Sequence, residues 1–382
     1  MSLRNLKVFF TKTANNNSKY LALPSAKNPR VIIPVNSRNH FKTGFDIHNT
    51  ASPKNRLIKE IIKHIYPIPK LLNKNIVYET QEIDRVRIFL KNKLKISKEL
   101  FFSFYIGTPS NNQKLTIQTM DQSGAVLGYL KITDNEISES FIIKEYESSK
   151  YLNKLKYESF VYPKALFFDK INSISILFQE DISENTLSIG YKLSVPIISA
   201  LSELAVKTKS QDSVSDYLRA IVLKFNTIIQ KNALLFKGAE LIHVWKDELL
   251  KYNFPLVYIH GDFVPYNIRI KKSKLAIFDW EFSREHGLPG YDLFHFIFQG
   301  SYQIFKSDAD KLIINILNED SEEFSLILKY FNSFNIKKNL IPHFLLFYLI
   351  EAFLYDINIR PQNNYSKNHF LQAIINLINY KG

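Results

Sequence analysis

The chain has 382 residues, 46% of them hydrophobic, a formal net charge of +14 and no cysteine. That length predicts two or three structural units rather than one simple core, and the apolar content excludes a disordered chain. The lack of cysteine excludes disulfides and thiolate metal sites and fits a reducing, cytoplasmic location. The positive charge invites a nucleic-acid reading, but the lysines are spread along the whole chain. Their densest cluster, Lys271, Lys272 and Lys274, reads as an exposed turn, so no nucleic-acid partner is expected. The N-terminal stretch offers only the apolar pair Phe9–Phe10 as a signal core, so no secretory signal is expected. The apolar stretch Phe344–Ile350 ends at Glu351, is too short to span a bilayer and reads as a buried helix, so no transmembrane segment is expected.

In chain order, Val31–Val35 reads as a short strand. Ser52-Pro53 reads as a serine cap with proline at the first helical position, opening a helix that Pro67 and Pro69 stop. From about residue 99 the period shifts towards two. Strands are expected at Phe101–Ile106, Leu115–Met120 and Ala125–Ile132, with turns at Gly107–Asn112 and Ser123-Gly124. A helix follows over Ser138–Leu155, then a strand at Ser173–Phe178. Beyond residue 183 the apolar spacing of three and four predicts mostly helix. The acidic run Glu319–Glu323 reads as a helix start, with Asp320 or Ser321 as its cap.

A strand-like block interrupts the helices: VYIHGDFVPYNIRIKKSKLAIFDW, residues 257–280. Leu256–Ile259, Asn267–Ile270 and Leu275–Phe278 read as three short strands. They are expected to bring Asp262, Asn267 and Asp279 to a shared edge. Two carboxylates and an amide oxygen are hard ligands suited to Mg²⁺, an ion that keeps water and phosphate oxygens in its shell. Asp262 and Asn267 stand five apart, the D-x-x-x-x-N of a kinase catalytic loop, and Asp279 falls where a second metal-binding aspartate is expected.

The ordered set His260-Gly261-Asp262, Asn267, Asp279-Trp280-Glu281, Gly287, Pro289 and Asp292-Leu293 resembles the aminoglycoside phosphotransferase/choline kinase family. That family's pattern is H-G-D-x-x-x-x-N, an apolar strand, D-W/F-E, then G-x-P-x-x-D-L. The resemblance covers roughly residues 100–300. It implies an α+β, bilobal protein-kinase-like fold, with a small β-rich N-lobe over 99–182 that binds nucleotide. A larger, mainly helical C-lobe over 183–382 would carry the catalytic loop and the acceptor-binding helices. Residues 1–98 carry no kinase motif and are set apart as an N-terminal α/β extension, expected either to pack on the small lobe or to present a surface to a protein partner.

The same resemblance implies site roles. Asp262 is the catalytic base, Asn267 and Asp279 hold Mg²⁺, and His260 and Asp292 support the loop, although Asp292 by itself reads as a first-turn anion. Trp280 is expected to pack. Lys131, ending its apolar strand, would grip the phosphates of ATP or another NTP. Its partner is expected to be Glu145, which shares a helix face with Phe141, Ser148, Leu152 and Leu155. Glu147, on the face of Lys144, Tyr151 and Lys154, is the alternative. Gly107, Ser110 and Asn111 would cover the phosphates, although this turn lacks a G-x-G-x-x-G pattern. Gln179, Glu180 and Asp181 would connect the lobes, and their backbone would meet the adenine.

The activity implied is an ATP- and Mg²⁺-dependent phosphotransferase acting on a hydroxyl of a small molecule such as a sugar, an amino alcohol or an aminoglycoside. About ten residues separate Asp279 from Gly290, which leaves little room for a long activation segment and favours a small acceptor over a protein. Two rival readings stand beside it. One is a metal-dependent hydrolase with His260, Asp262, Asp279, His286 and His295 as ligands. The other is a catalytically silent kinase fold that serves as a binding module.

Overall fold

In the computed structural model the described residues are 9–12, 18–47, 53–66, 74–107, 113–171, 173–229, 236–302, 308–359, 365 and 368–381. The chain divides into two compact units, Met1–Lys154 with Tyr162–Asn185, and Leu155–Val161 with Thr186–Gly382. The expected α+β class holds, with strands dominating the first unit and helices the second. The expected cap at Ser52, the stops at Pro67 and Pro69, and the turn residues Ser110 and Asn111 lie outside the described residues.

The first unit contains β1 (Phe10–Thr11), β2 (Lys19–Leu23), β3 (Val31–Pro34), α1 (Arg38–Gly44), α2 (Pro53–His64), β4 (Ile76–Glu79) and α3 (Gln81–Leu94). It continues with β5 (Phe101–Tyr105), β6 (Leu115–Met120), β7 (Val126–Thr133) and α4 (Glu136–Leu152). After β8 (Phe160–Val161), which belongs to the second unit, come β9 (Ala165–Ile171) and β10 (Ile174–Glu180). Among the described residues these nine strands form one sheet in the order β1-β4-β2-β3-β5-β6-β7-β10-β9. Helix α4 starts two residues before its expected position because Asn135 caps it, its Oδ1 accepting from the N–H of Ile137 and Ser138.

Residues 1–98, set apart in the sequence as an extension, are part of this unit. Strand β3 pairs antiparallel with β5, placing Val31 opposite Tyr105 and Ile32 opposite Phe104. The pairing covers an edge of β5 that would otherwise expose a row of backbone donors and acceptors. Side chains seal the join. Phe104 is buried, and its ring centroid lies 4.9 Å from Phe10, 6.1 Å from Tyr20 and 6.4 Å from Phe9. Three of the four strands that precede β5 escape sequence reading because each is short, and pairing rather than periodicity defines them.

The second unit holds two small sheets. One has the order β11-β13-β14-β8, built from β11 (Thr186–Ser188), β13 (Ile268–Lys271), β14 (Lys274–Ile277) and β8. The other pairs β12 (Val257–Ile259) with β15 (Arg284–Gly287). The strands expected to share one edge are therefore divided. β13 and β14 form a hairpin, whereas β12 pairs with a later strand. The helices are α5 (Val195–Lys207), α6 (Val214–Ile229), α7 (Phe236–Leu249), α8 (Tyr291–Gly300), α9 (Ala309–Leu317), α10 (Glu322–Asn332), α11 (Ile341–Ile359) and α12 (His369–Lys381). Ser321 caps α10 by accepting from Phe324 N–H, with Glu322 and Glu323 in the first turn, so the acidic run is a helix start.

Helix α11 runs through Glu351, so the apolar stretch Phe344–Ile350 lies inside a longer helix. By length and hydropathy alone Lys338–Asn358 would suffice to cross a membrane, yet 83% of its most apolar window is buried inside the protein. It reads as a core helix.

Phe104→Ala is expected to lower stability by about 3–5 kcal/mol, as for a large aromatic removed from a packed core. Urea unfolding checks this. A loss below about 1 kcal/mol would show that the strands before β5 do not depend on this contact.

Candidate functional site

In the first unit Lys131 lies on β7 between two neighbouring strands, opposite Thr116 of β6 and Leu177 of β10. Its Nζ donates to both carboxylate oxygens of Glu145 on α4, at 2.5 and 2.6 Å. Both residues are buried, while Glu147 is exposed. Burying a charged pair is costly, so a bidentate contact in which each charge meets the other is the arrangement that tolerates it. Gly107 has φ +72°, a left-handed conformation that suits glycine, and its carbonyl accepts from Arg30 Nη1. Gln179 is buried near the end of β10, and Asp181 Oδ1 accepts from Ser183 N–H at 2.8 Å. The Glu180 N–H already donates to Lys164 O at 3.0 Å, so an adenine would have to meet other backbone groups of this connector.

In the second unit the chain leaves β12 at a fully buried histidine. His260 and Gly261 turn their backbone N–H groups onto Asp292, which accepts at Oδ2 (2.7 Å) and Oδ1 (2.9 Å). Asp292 stands in the first turn of α8 and is itself buried. Burial raises its carboxyl pKa, while the His260 ring and the two N–H bonds pull it down. Gly261 has φ +84°, and an added Cβ would lie 2.2 Å from Phe282 O, so both conformation and space demand glycine. The His260 ring supports the loop from both sides. Nε2 lies 2.8 Å from Phe278 O and must donate to it, and Nδ1 accepts from Asp262 N–H at 3.2 Å. Trp280 is buried, packs 4.6 Å from the His260 ring and donates Nε1–H to Ile277 O.

This loop places Asp262 beside Asn267. The Asn267 Nδ2 group donates to Asp262 O at 3.0 Å and to Asp262 Oδ2 at 2.9 Å. Both partners are pure acceptors, which fixes the orientation of the amide and leaves Oδ1 as its ligand end. Asp279 follows β14 in a left-handed conformation, φ 64° and ψ 61°. Its carboxylate and that of Glu281 offer oxygens within 4.8 Å of one another. Carboxylate oxygens together with an amide oxygen are a donor set that fits a hard divalent cation such as Mg²⁺.

His295, which the hydrolase reading placed with Asp262 as a metal ligand, has its Nε2 3.3 Å from Asp262 Oδ1. Two features escaped sequence reading. Glu351, on α11, pairs with Arg284 and accepts from Tyr217 O–H at 2.8 Å; a carboxylate interrupting a long apolar run was the available signal. Glu203 of α5 accepts from Glu158 N–H and Ser159 N–H, both at 2.8 Å, from the Ser159 hydroxyl and from Lys207 at 2.7 Å. It thereby anchors the segment leading into β8, which pairs in parallel with β14 just before Asp279.

The hydrolase ligand set does not assemble around His260, because neither ring nitrogen has a lone pair to offer a metal in this arrangement. His286 instead faces Asp212 at 3.0 Å.

Burial pushes the Glu203 carboxyl up, but the Lys207, Ser159 and Glu158 donors outweigh it, and its pKa falls from 4.5 to about 2. A depressed folded-state pKa contributes stability that is present above the unfolded value and is lost as pH falls through the folded one. Glu203→Gln is therefore expected to cost about 2 kcal/mol at pH 7. The deficit should shrink as pH falls from 4.5 towards 2. Urea unfolding of both proteins across that range checks it, and a deficit independent of pH would refute the charge's role.

Comparison with known proteins points the same way. The family model described as "Phosphotransferase enzyme family" matches residues 219–319, which include Asp262, Asn267, Asp279 and Asp292. No curated protein matches the chain. Among solved structures, choline kinase LicA from Streptococcus pneumoniae is similar at 14% identity and a TM-score of 0.50, covering 79% of this chain and 100% of that one. A thermostable mutant of aminoglycoside phosphotransferase APH(4)-Ia, in complex with ADP and hygromycin B, matches at 11% identity and a TM-score of 0.48, covering 78% and 98%. A choline/ethanolamine kinase family protein from Mesorhizobium loti matches at 14% identity and a TM-score of 0.47, also covering 78% and 98%. With its motif-bearing segment matched and its fold shared with a choline kinase, the chain resembles the aminoglycoside phosphotransferase/choline kinase family and has a kinase-like fold.

Proposed function

We propose that the protein is a cytoplasmic, ATP-dependent phosphotransferase that moves the γ-phosphoryl group to a hydroxyl of a small molecule. The observation that carries this reading is the Asp262–Asn267 contact, held in a loop whose backbone Asp292 secures. In the second unit Asp262 orients the acceptor hydroxyl and takes its proton. Asn267 Oδ1 and Asp279 are the residues that would hold Mg²⁺. When bound, that ion neutralises charge on the phosphate oxygens. In the first unit Lys131, fixed by Glu145, binds the α- and β-phosphates of ATP or another NTP. Gly107, Ser110 and Asn111 are the residues that would cover the phosphates, and the backbone of Gln179–Asp181 would meet the base. Phosphoryl transfer relies on positioning and electrostatic stabilisation more than on covalent help from the protein, so this small set of side chains suffices.

The resemblance supports a sugar, an amino alcohol or an aminoglycoside as acceptor, and the shared fold with a choline kinase adds amino alcohols to the first trials. Residues 1–98 belong to the nucleotide-binding unit in this reading and present an outer surface open to a protein partner.

Two measurements test the proposal. Thermal unfolding with ATP and Mg²⁺ at a hundred times the dissociation constant should show about 2.7 kcal/mol of stabilisation, with the effect reduced in Asp279→Asn. Transfer of labelled phosphate to a panel of sugars and amino alcohols should fall by roughly 10²–10⁴ in Asp262→Asn, with the nucleotide-induced shift retained. Full Mg²⁺-dependent transfer by Asp279→Asn would sink the assignment. Nucleotide binding with no transfer to any acceptor, water included, would instead favour a binding module.

A further inference from the structure

We propose that His295 is a positioning residue for Asp262, clamping the carboxylate from the side opposite Asn267. The inference rests on the reading of Asp262 as the base.

Asp292 and His295 stand three residues apart on α8, so both side chains leave the same face of one helix, one turn apart. The first takes the backbone of His260 and Gly261, and the second reaches the next residue of the loop, at Asp262 Oδ1. Asn267 donates to the other oxygen, Oδ2, at 2.9 Å. Each carboxylate oxygen thus has one side-chain donor. Rotation of the group about its Cβ–Cγ bond would break both contacts, which leaves the remaining lone pairs in a fixed direction.

The ring of His295 is itself held. It is nearly parallel to Tyr291, at 11° and 5.9 Å, and its Nδ1 lies 3.5 Å from the hydroxyl of the buried Tyr348 on α11. With Tyr348 O–H directed at Nδ1, Nε2 carries the hydrogen that points to Asp262. The blander alternative is a core histidine that merely satisfies its own polar atoms. Against it, the Asp262 side chain keeps 27% of its surface exposed, so water would solvate that carboxylate without help, yet the buried histidine still takes one of its oxygens. In the reaction the hydroxyl proton passes to Asp262, and His295 keeps its own hydrogen throughout.

Glutamine and asparagine separate the two roles. The amide nitrogen of Gln reaches the place of the histidine Nε2, whereas the shorter Asn reaches only the place of Nδ1, where its amide oxygen accepts from Tyr348 O–H. His295→Gln should therefore keep the contact to Asp262, and His295→Asn should keep only the contact to Tyr348. Steady-state phosphotransfer is measured with the acceptor found in the panel above, or as ATP hydrolysis, with water as acceptor, if none is found. The ATP–Mg²⁺ thermal shift monitors folding and nucleotide binding.

The expected result is a fall in kcat of roughly tenfold to a hundredfold for His295→Asn, with KM for ATP unchanged and turnover restored to near wild type in His295→Gln. In an Asp262→Asn background, His295→Asn should cause no further loss, because the group it positions is gone. Should the Asn variant not fold, His295→Leu replaces it in the same cycle. Equal losses in Gln and Asn, equal losses in both backgrounds, or wild-type turnover in His295→Asn would each overturn the inference. Wild-type turnover in Asp262→Asn would instead overturn the reading of Asp262 as the base.

Discussion

A buried loop has to satisfy its own backbone amides, and at the end of β12 that duty falls to one carboxylate. His260 and Gly261 cannot donate to a neighbouring strand, because the chain is turning there, and Asp292 accepts both N–H groups. This contact ties the start of α8 to the loop and so sets where Asp262 lies. The rest of the loop follows from it. Gly261 supplies the left-handed turn, the His260 ring bridges Phe278 O and Asp262 N–H, and Asn267 closes the loop by returning its amide to Asp262. An Asp buried without those N–H partners would carry an uncompensated desolvation cost, so aspartate and loop each require the other.

Around that loop the second unit uses ionic contacts where apolar packing alone would leave its strands unregistered. Glu203 collects two backbone donors, a hydroxyl and a lysine at the segment leading into β8, and β8 in turn pairs with β14. Glu351, buried in the middle of α11, meets Arg284 of β15 and Tyr217 of α6. Both carboxylates tie helices to the short strands that flank the motif. Those strands are too short to hold their own register by hairpin pairing.

The first unit solves a different problem. A five-stranded sheet from β5 onward would leave β5 as an open edge. The chain covers that edge with β3 and three further strands, packed through Phe9, Phe10, Tyr20 and Phe104. On β7 and α4, the Lys131–Glu145 pair lies within the same folded unit.

The sequence alone supplied much of the local structure and an ordered set of candidate residues. His260-Gly261-Asp262, Asn267, Asp279 and Asp292 were picked out by their resemblance to a family pattern, which close spacing makes readable. The inward face of Glu145 was legible because helical periodicity sorts residues by face. Strands β5, β6 and β7 and the start of α10 were legible for the same local reasons. Tertiary structure decided the rest. It put β1 to β4 into the nine-stranded sheet, paired β12 with β15, and brought His295 to Asp262 and Glu203 to the β8 segment. These contacts join residues that are distant in sequence or come from different elements. Periodicity and capping register which face a side chain occupies, but only the packed backbone fixes what that face meets.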